Sequence, residues 1–359
     1  LRGEKAISVC FIGDGTWGEG IVYETLNICS LWQIPNLIVV ENNNISQSTS
    51  HKQNRAGTIK KRTEAFEVKY FSSSTNDLDH LLKTSEEAIN YVRQFSKPAV
   101  FEILTSRLRS HSKSDDNRDP NLVQELVEKD LLTKFINSKG GSAIYNQCKI
   151  NIKNLIDEIE ADSDSFEEIS DFESLPVNIK EYTLEKETKR VNEDIYSALL
   201  DTFNTDSRSI IIGEDIENSN QFNPGEYGGA FKVTRDLSNL FERRVKNTPI
   251  SEAAIIGIGN GLALNKMKPI VEIMFGDFLP LAFDQILNHS AKFVEMFGKK
   301  IDLPLLIRVP MGAKRGYGPT HSQTLENHFL GIRNLDIFAI NSRINNKKFL
   351  KNLLKKINT

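Results

Sequence analysis

Short apolar runs alternate with helical segments in two separate parts of this chain, and that alternation limits the folds open to it. In the first part, the runs at 6–12 and 37–40 are typical of buried strands, and 19–31 between them has helical spacing. A helical segment at 79–95 then leads into a third strand pattern at 99–105. Buried strands connected through helices are typical of parallel sheets covered on both faces. The order therefore predicts an α/β fold.

The same alternation returns after an acidic stretch. Residues 121–138 have helical spacing, and 152–173 are strongly acidic, which is typical of a solvated connector. Beyond it, the second part has predicted helices at 188–204, 252–264 and 282–297 and predicted strands at 209–213, 269–274 and 304–309. We therefore predict two parallel-sheet domains joined by an acidic, mostly helical connector. The expected boundaries are 1–120 for the first domain, 121–185 for the connector, 186–340 for the second domain and 341–359 for a linker.

Charge and composition exclude several classes of protein. The 359 residues carry a formal charge of −3, which argues against a nucleic-acid binder that neutralises phosphates. No apolar run approaches the roughly 18 residues that a membrane span needs. The three cysteines form neither a disulfide framework nor a metal-type spacing, so we expect the cytoplasm, or the mitochondrial matrix in a eukaryote. Because the chain begins at Leu1 with a strand pattern, we also expect it to be part of a longer protein.

A glycine-rich turn follows the first strand. Residues 13–18 match the G-x-G-x-x-G pattern of dinucleotide-binding proteins, and Glu41 ends the next strand. However, Asp14 would lie against the phosphates in that interpretation, which requires a cation between them. Asn43 ends the neighbouring strand, so Asp14, Asn43 and the carbonyl of Ile45 form a donor set that suits Mg²⁺. A helix cap at Asp14 and a turn at Asn43 are the structural alternative.

The longer motifs resemble a known enzyme family. The text GDGTWGEGIVYETLNICSLWQIPNLIVVENN at 13–43 is similar to the α chain of the decarboxylating component of 2-oxo acid dehydrogenase complexes, and 107–116 resembles its active-site loop. The second half resembles the β chain of that component. The matching segments there are GEDI at 213–216, GGAFKVT at 228–234, 244–264, 269–278, 282–293 and THSQ at 320–323.

This resemblance implies a fused α–β chain with two thiamine diphosphate-binding folds. Relative to the family, the sequence lacks an N-terminal part of the α chain and the C-terminal domain of the β chain, toward which 341–359 would lead. In the family the cofactor lies between the two kinds of domain, contributed by different chains or protomers. The resemblance therefore implies a homo-oligomer, at least a dimer of fused chains.

Individual site residues follow from the matching motifs. In the first half, the resemblance implies that Asp14, Asn43 and Ile45 bind Mg²⁺, that Gly15 and Thr16 lie near the diphosphate, and that His111 contacts the phosphates. Ser112 stands where animal members of the family are phosphorylated. In the second half it implies that Glu252 binds the pyrimidine ring, that Phe278 stacks on it, and that His321 acts in proton or acyl transfer. Without the motifs, an ordinary carboxylate at a helix N-terminus would be the favoured interpretation of Glu252.

The implied reaction is oxidative decarboxylation of a 2-oxo acid, dependent on thiamine diphosphate and Mg²⁺. The acyl group would pass to a lipoyl group on a partner acyltransferase. Pyruvate and branched-chain 2-oxo acids differ by too few methylenes for the sequence to separate them. Two alternatives stay open: another thiamine diphosphate enzyme, acetoin-cleaving or transketolase-like, and a truncated chain without turnover.

Overall fold

Parallel strands flanked by helices form the core of both halves of the chain. The computed structural model describes residues 6–112, 116–161, 177–184, 190–218, 227–297, 301–312 and 316–356. By its internal contacts the chain divides into two units, Leu1–Ser165 (unit 1) and Phe166–Thr359 (unit 2). The α/β fold class predicted from the sequence is confirmed.

The sheet of unit 1 has four parallel strands in the order β1-β2-β6-β5. Its middle strand β2 is buried on both faces, because Leu37 and Val39 contact one apolar cluster and Ile38 and Val40 another. The strands are β1 (Ser8–Gly13), β2 (Asn36–Asn42), β5 (Lys69–Ser74) and β6 (Ala99–Leu104), with a short antiparallel pair β3 (Ile45–Ser46) and β4 (Thr49–Ser50). The helices around them are α1 (Gly20–Leu31), α2 (His51–Asn54), α3 (Ile59–Ala65) and α4 (Leu78–Phe95).

Strand β1 is exposed, whereas the sequence predicted a buried strand at 6–12. The strand forms, but it lies at the edge of the sheet and pairs with β2 alone among the described strands. Phe11 is 67% exposed and Val9 is 47% exposed. An apolar run predicts a strand well but not its place in the sheet, since an edge strand lacks the second neighbour that completes burial.

Three helices follow the unit 1 sheet. They are α5 (Pro120–Lys129), α6 (Leu131–Ile136) and α7 (Lys139–Ala161). The helix predicted at 121–138 is therefore divided at Asp130, whose carboxylate accepts a hydrogen bond from the backbone N–H of Thr133 and caps α6. The acidic run continues at 162–176, outside the described residues. Within the described part of the chain, no helix is both long and apolar enough to cross a membrane.

The sheet of unit 2 also has four parallel strands, in the order β10-β9-β7-β8. Every residue of β7 is buried, which fits its run of three isoleucines. The strands are β7 (Ser209–Gly213), β8 (Val245–Asn247), β9 (Lys268–Glu272) and β10 (Leu306–Arg308). The helices are α8 (Val191–Thr205), α9 (Leu237–Leu240), α10 (Glu252–Leu264), α11 (Ala291–Phe293) and α12 (Asn346–Lys356).

The segment predicted as one helix at 282–297 is irregular. A 3₁₀ helix spans Gly276–Ala282 and a π-helical turn spans Gln285–Ser290, so that α-helical geometry is confined to residues 283–284 and to α11. The hydroxyl of Ser290 donates hydrogen bonds to the carbonyl of Gln285 and to the side chain of Asn260 on α10. These bonds favour a turn wider than that of an α-helix, a feature that apolar spacing alone does not encode.

Helix α12 lies in the segment predicted to be a linker. Phe349, Leu353 and Leu354 are buried in the unit 2 core. On the opposite side, Lys347 and Lys351 lie 3.5 and 3.1 Å from the carboxylate of Asp201 on α8. The linker prediction is therefore wrong for 346–356, because the basic side chains alternate with an apolar face that is wide enough to be buried.

Candidate functional site

The structure brings Asp14 and Asn43 together at the carboxyl ends of β1 and β2. Asp14 follows β1 directly, begins a 3₁₀ turn over Asp14–Gly18 and is only 2% exposed. Its Oδ1 accepts a hydrogen bond from the backbone N–H of Asn43 at 3.4 Å. Its Oδ2 is buried without a hydrogen-bond partner. A buried carboxylate oxygen without a partner is costly unless a cation or donor reaches it, so this atom fits the predicted Mg²⁺ site.

The side chain of Asn43 is held by its own loop. Its Oδ1 accepts a hydrogen bond from the backbone N–H of Ile45 at 3.1 Å, which fixes the orientation of the amide and leaves a lone pair on the oxygen. No group of three His, Cys, Asp or Glu side chains that could hold a metal ion is found in the described residues. The set formed by Asp14, Asn43 and the carbonyl of Ile45 is of a different kind, with one carboxylate, one amide and one backbone oxygen.

The buried carboxylate of Glu102 on β6 holds the loop that follows β2 through hydrogen bonds. The side-chain amide of Asn42 and the hydroxyl of Tyr70 both donate hydrogen bonds to the carboxylate of Glu102, and the backbone N–H of Asn44 donates to Asn42 Oδ1. Burial and the bond to Glu102 raise the pKa of Tyr70 above its usual range. Glu102 was not predicted from the sequence, although a glutamate inside the apolar strand at 99–104 is a visible signal.

Close backbone contacts shape the turn around Gly15. A Cβ atom at Gly15 would lie 2.5 Å from Cβ of Ser46, so this turn requires glycine. The side chain of Asn54 donates a hydrogen bond to the Gly15 carbonyl at 2.8 Å. Thr16 is half-buried in the same turn. Loop β2–β3 and helix α2 thus hold the backbone that follows Asp14.

Two guanidinium groups near this turn carry unused donors. Arg55 Nη1 donates to the carbonyl of Asp14 at 3.3 Å, and Arg107 Nη2 donates to the carbonyl of Gln47 at 2.8 Å. Buried nitrogens of both groups, Nε of Arg55 and Nε and Nη1 of Arg107, have no hydrogen-bond partner. Unused guanidinium donors suit an anionic ligand such as a phosphate. Neither arginine was predicted from the sequence to have a role.

His111 lies on the surface of unit 1, beside Ser112. Its Nδ1 is 3.1 Å from the hydroxyl of Ser112. The loop around it is closed by Arg118, which binds both carboxylate oxygens of Asp116 and donates to the carbonyl of Arg107 at 2.6 Å. The guanidinium lowers the pKa of Asp116 to about 2. Residues 113–115 of this loop lie outside the described residues.

Unit 2 contains a buried pair of glutamates. Glu252 is the first residue of α10 and is 6% exposed, and Glu214 directly follows β7 and is 8% exposed. Glu214 Oε1 has no hydrogen-bond partner. Burial, together with the charges of Glu252 and Asp215, raises the pKa of Glu214 to about 7. The motif at 213–216 carries part of the family resemblance, but it does not by itself predict a role for Glu214.

The raised pKa of Glu214 predicts a pH dependence of stability. Its carboxyl holds a proton more tightly in the folded state than in the unfolded chain, whose ordinary value is 4.5. The free energy of unfolding should therefore fall as the pH rises from about 4.5 to about 7. We expect Glu214→Gln to remove this fall, because the amide resembles the protonated acid and does not ionise.

Urea denaturation of the full chain at pH 5 and pH 8 measures this effect. The wild type should lose about 2 kcal/mol more than Glu214→Gln over that interval. Glu242→Gln removes an exposed carboxylate from the same unit and controls for the change in net charge. Equal losses in the wild type and Glu214→Gln would show that Glu214 ionises in the folded state as it does in the unfolded chain.

An aromatic cluster in unit 2 contains two of the predicted residues. The rings of Phe278 and His321 lie 5.3 Å apart between centroids, and both contact Phe275. Gln323 Nε2 donates a hydrogen bond to Asp277 Oδ1 at 2.8 Å and ties the His321 loop to the 3₁₀ helix. Helix α10, which begins at Glu252, packs against that 3₁₀ helix. Phe275 was missed, since an aromatic residue near the end of a strand usually indicates core.

The two halves of the chain match two different protein families. Residues 1–146 match the family "Dehydrogenase E1 component", and residues 190–358 match "Transketolase, pyrimidine binding domain". The second half is similar to pyruvate dehydrogenase E1 component subunit beta of Gracilaria tenuistipitata var. liui, with 39% identity over 151 residues. The two halves of the chain are therefore similar to two different parts of such enzymes, the first to a dehydrogenase E1 component and the second to a pyrimidine-binding domain.

The similarity to individual relatives covers only part of each protein. The Gracilaria match covers 42% of this chain and 44% of the relative. The corresponding subunit of Porphyra purpurea is 40% identical over 146 residues, which cover 40% of this chain and 42% of that protein. The chain thus spans less than half the length of these relatives.

A solved structure agrees in fold. Transketolase from Leishmania mexicana superposes with a TM-score of 0.61 at 15% sequence identity, covering 98% of this chain and 54% of that protein. At this identity the similarity concerns the fold alone. It is consistent with the parallel sheet found in each unit.

Proposed function

We propose that this protein catalyses the thiamine diphosphate- and Mg²⁺-dependent oxidative decarboxylation of a 2-oxo acid. The acyl group passes to a lipoyl group on a partner acyltransferase. The observation that carries the proposal is the buried, unpartnered Oδ2 of Asp14 next to Asn43, at the carboxyl ends of two parallel strands. Ligands of α/β sheets bind at this edge, and a carboxylate there serves an anionic ligand only through a cation.

In unit 1 the proposed role is to anchor the diphosphate. Asp14, Asn43 and the carbonyl of Ile45 would hold Mg²⁺, and the backbone at Gly15 and Thr16 would approach the phosphate oxygens. The unused donors of Arg107, and His111 in the same loop, would supply positive charge or hydrogen bonds. Each of these groups would bind or orient the diphosphate or its Mg²⁺ ion.

In unit 2 the proposed role is to control protons. Glu252 would share a proton with the pyrimidine ring, and the raised pKa of Glu214 keeps a second proton available beside it. Phe278 offers an aromatic face, and His321 offers an imidazole that can donate or accept a proton during acyl transfer. When bound, thiamine diphosphate supplies the electron sink that lets carbon dioxide leave the substrate.

Pyruvate is the substrate we propose to test first, because the relatives in the second half are named as pyruvate dehydrogenase subunits. A branched-chain 2-oxo acid is the comparison substrate, since the two differ by a few methylenes. A homo-oligomer, at least a dimer of fused chains, belongs to the same proposal, as does the lipoyl-bearing partner.

Dye-coupled decarboxylation by the full chain tests the proposal. Pyruvate and 2-oxoisovalerate are supplied separately, each with and without thiamine diphosphate and Mg²⁺. We expect turnover that requires both additions and favours pyruvate. Cofactor binding without turnover of either substrate would favour another thiamine diphosphate enzyme, and absence of both binding and turnover would overturn the enzymatic interpretation.

A further inference from the structure

Glu102 is an acidic side chain buried in an apolar face of the unit 1 sheet. It lies on β6 and is 7% exposed. Val40, its pairing partner on β2, and Val100, two residues before it, belong to the apolar cluster that contains Trp17. An acidic side chain in such a place lowers the stability of the fold unless hydrogen bonds compensate for its burial. What Glu102 contributes must therefore come from the groups that its carboxylate oxygens bind.

The two oxygens bind groups on the two neighbouring strands. Oε1 accepts a hydrogen bond from Nδ2 of Asn42 at 2.5 Å, and Oε2 accepts one from the hydroxyl of Tyr70. Asn42 stands two residues after Val40, which pairs with Glu102 from β2, and Tyr70 two residues before Ser72, which pairs with it from β5. Because side chains alternate along a strand, the carboxylate and its two donors share one face of the sheet.

The bond to Glu102 fixes the orientation of the Asn42 amide. With Nδ2 turned toward the carboxylate, Oδ1 faces the loop after β2 and accepts a hydrogen bond from the backbone N–H of Asn44 at 3.0 Å. The reverse orientation would turn the NH₂ group toward that N–H and place donor against donor. Asn44 has a φ of 64°, in the left-handed region, so this bond holds a backbone conformation that is less favourable by itself.

This loop carries two of the three oxygen donors of the candidate Mg²⁺ site. Asn43 and Ile45, which supply the amide oxygen and the backbone carbonyl, are the two neighbours of Asn44 in the chain. We propose that Glu102 is a positioning residue, which holds this loop through Asn42 in the conformation that binds Mg²⁺. The inference rests on the proposed function, since it concerns the same site. Glu102 acts here as a hydrogen-bond acceptor and not through its charge.

Three variants of the carboxylate and its partner test this role. Mn²⁺ replaces Mg²⁺ as the probe, and the electron paramagnetic resonance signal of the free ion gives its affinity for the full chain in the presence of thiamine diphosphate. Glu102→Leu removes the acceptor and should weaken Mn²⁺ binding by about 10- to 100-fold, the usual effect of losing an outer partner of a metal ligand. Tyr70→Phe removes the other bond to the same carboxylate and is the matched control, which should keep the wild-type affinity.

Glu102→Gln separates the hydrogen bond from the charge. Its carbonyl oxygen can still accept from Asn42, while the Tyr70 hydroxyl accepts from its NH₂ group, so Mn²⁺ binding should stay close to that of the wild type. Equal losses in Glu102→Gln and Glu102→Leu would show that the charge acts on the cation, and this would overturn the proposal. Wild-type affinity in Glu102→Leu would overturn it as well.

Asn42→Ala removes the connection to the loop and leaves Glu102 bonded to Tyr70. It should weaken Mn²⁺ binding as Glu102→Leu does, and the double variant should bind no more weakly than either single variant, because both changes interrupt one path. Additive losses, or an Asn42→Ala variant with wild-type affinity, would contradict a role through Asn42. Circular dichroism checks the fold of each variant, and Asn42→Ala alone decides the matter if Glu102→Leu does not fold.

The same titration separates failure of this inference from failure of the proposed function. A folded wild-type chain that binds no Mn²⁺ in the presence of thiamine diphosphate would remove the metal site itself, and with it the proposed function. A wild-type chain that binds Mn²⁺ no more tightly than Glu102→Leu would leave the metal site in place and overturn only the positioning role of Glu102.

Discussion

Glu252→Gln is expected to lower kcat for 2-oxo acid decarboxylation by roughly 10²–10³-fold, within the range for removal of a general acid or base. The amide keeps the size of the side chain, which is 6% exposed, so α10 should begin at the same residue. It cannot give up or accept the proton that the proposed reaction requires of Glu252. Binding of thiamine diphosphate should change much less than turnover.

Steady-state kinetics and cofactor titration of the same preparations check this result. Glu242→Gln, an exposed residue of unit 2, serves as the control and should keep wild-type kcat. A Glu252→Gln variant with near-normal kcat would remove Glu252 from the proposed chemistry. Loss of cofactor binding along with kcat would instead assign Glu252 a role in binding.

Asp14→Asn is expected to abolish Mg²⁺-dependent cofactor binding, with an effect of at least about 100-fold on the apparent Mg²⁺ affinity. A directly bound carboxylate contributes more than an outer partner of a metal ligand, for which losses of about 10–100-fold are typical. The amide also removes the negative charge that the cation requires at this position. Without Mg²⁺, however, the variant should be at least as stable as the wild type, because it removes a buried carboxylate whose Oδ2 has no hydrogen-bond partner.

Thermal unfolding with and without Mg²⁺ and thiamine diphosphate separates the two effects. The ligands should raise the Tm of the wild type and of Asp79→Asn, which alters an exposed aspartate of α4, but not that of Asp14→Asn. Trp17, fully buried in the turn that begins at Asp14, gives a fluorescence signal for the same titration. Equal Tm increases in wild type and Asp14→Asn would place the cation elsewhere.

Several elements were predictable because their information is local. The strand at 209–213 and the helix at 252–264 were predicted with the observed bounds, since an isoleucine run and helical spacing identify them directly. The juxtaposition of Asp14 and Asn43 also followed from the sequence. Consecutive parallel strands connected through a helix end at the same edge of a sheet, so residues just beyond both ends lie close together.

Other parts of the candidate site depend on long-range contacts. Glu214 follows β7 and Glu252 begins α10, and only the folded unit places their charges close enough to shift the pKa of Glu214. In unit 1, Tyr70 and Asn42 meet at Glu102 because β5 and β2 both pair with β6. No periodic pattern records such a pairing, since hydrophobic spacing specifies which face of an element is buried and not which element covers it.

The sequence by itself therefore determined the α/β class, the alternation of strands and helices, and the pair of polar residues at two neighbouring strand ends. Tertiary structure decided that β1 is an edge strand, that 282–297 is not one helix, and that α12 is packed into the core. It also decided which carboxylate oxygens, such as Oδ2 of Asp14 and Oε1 of Glu214, are buried without a hydrogen-bond partner. The physical reason is that local spacing controls backbone conformation, whereas burial and electrostatics depend on neighbours that are distant in the chain.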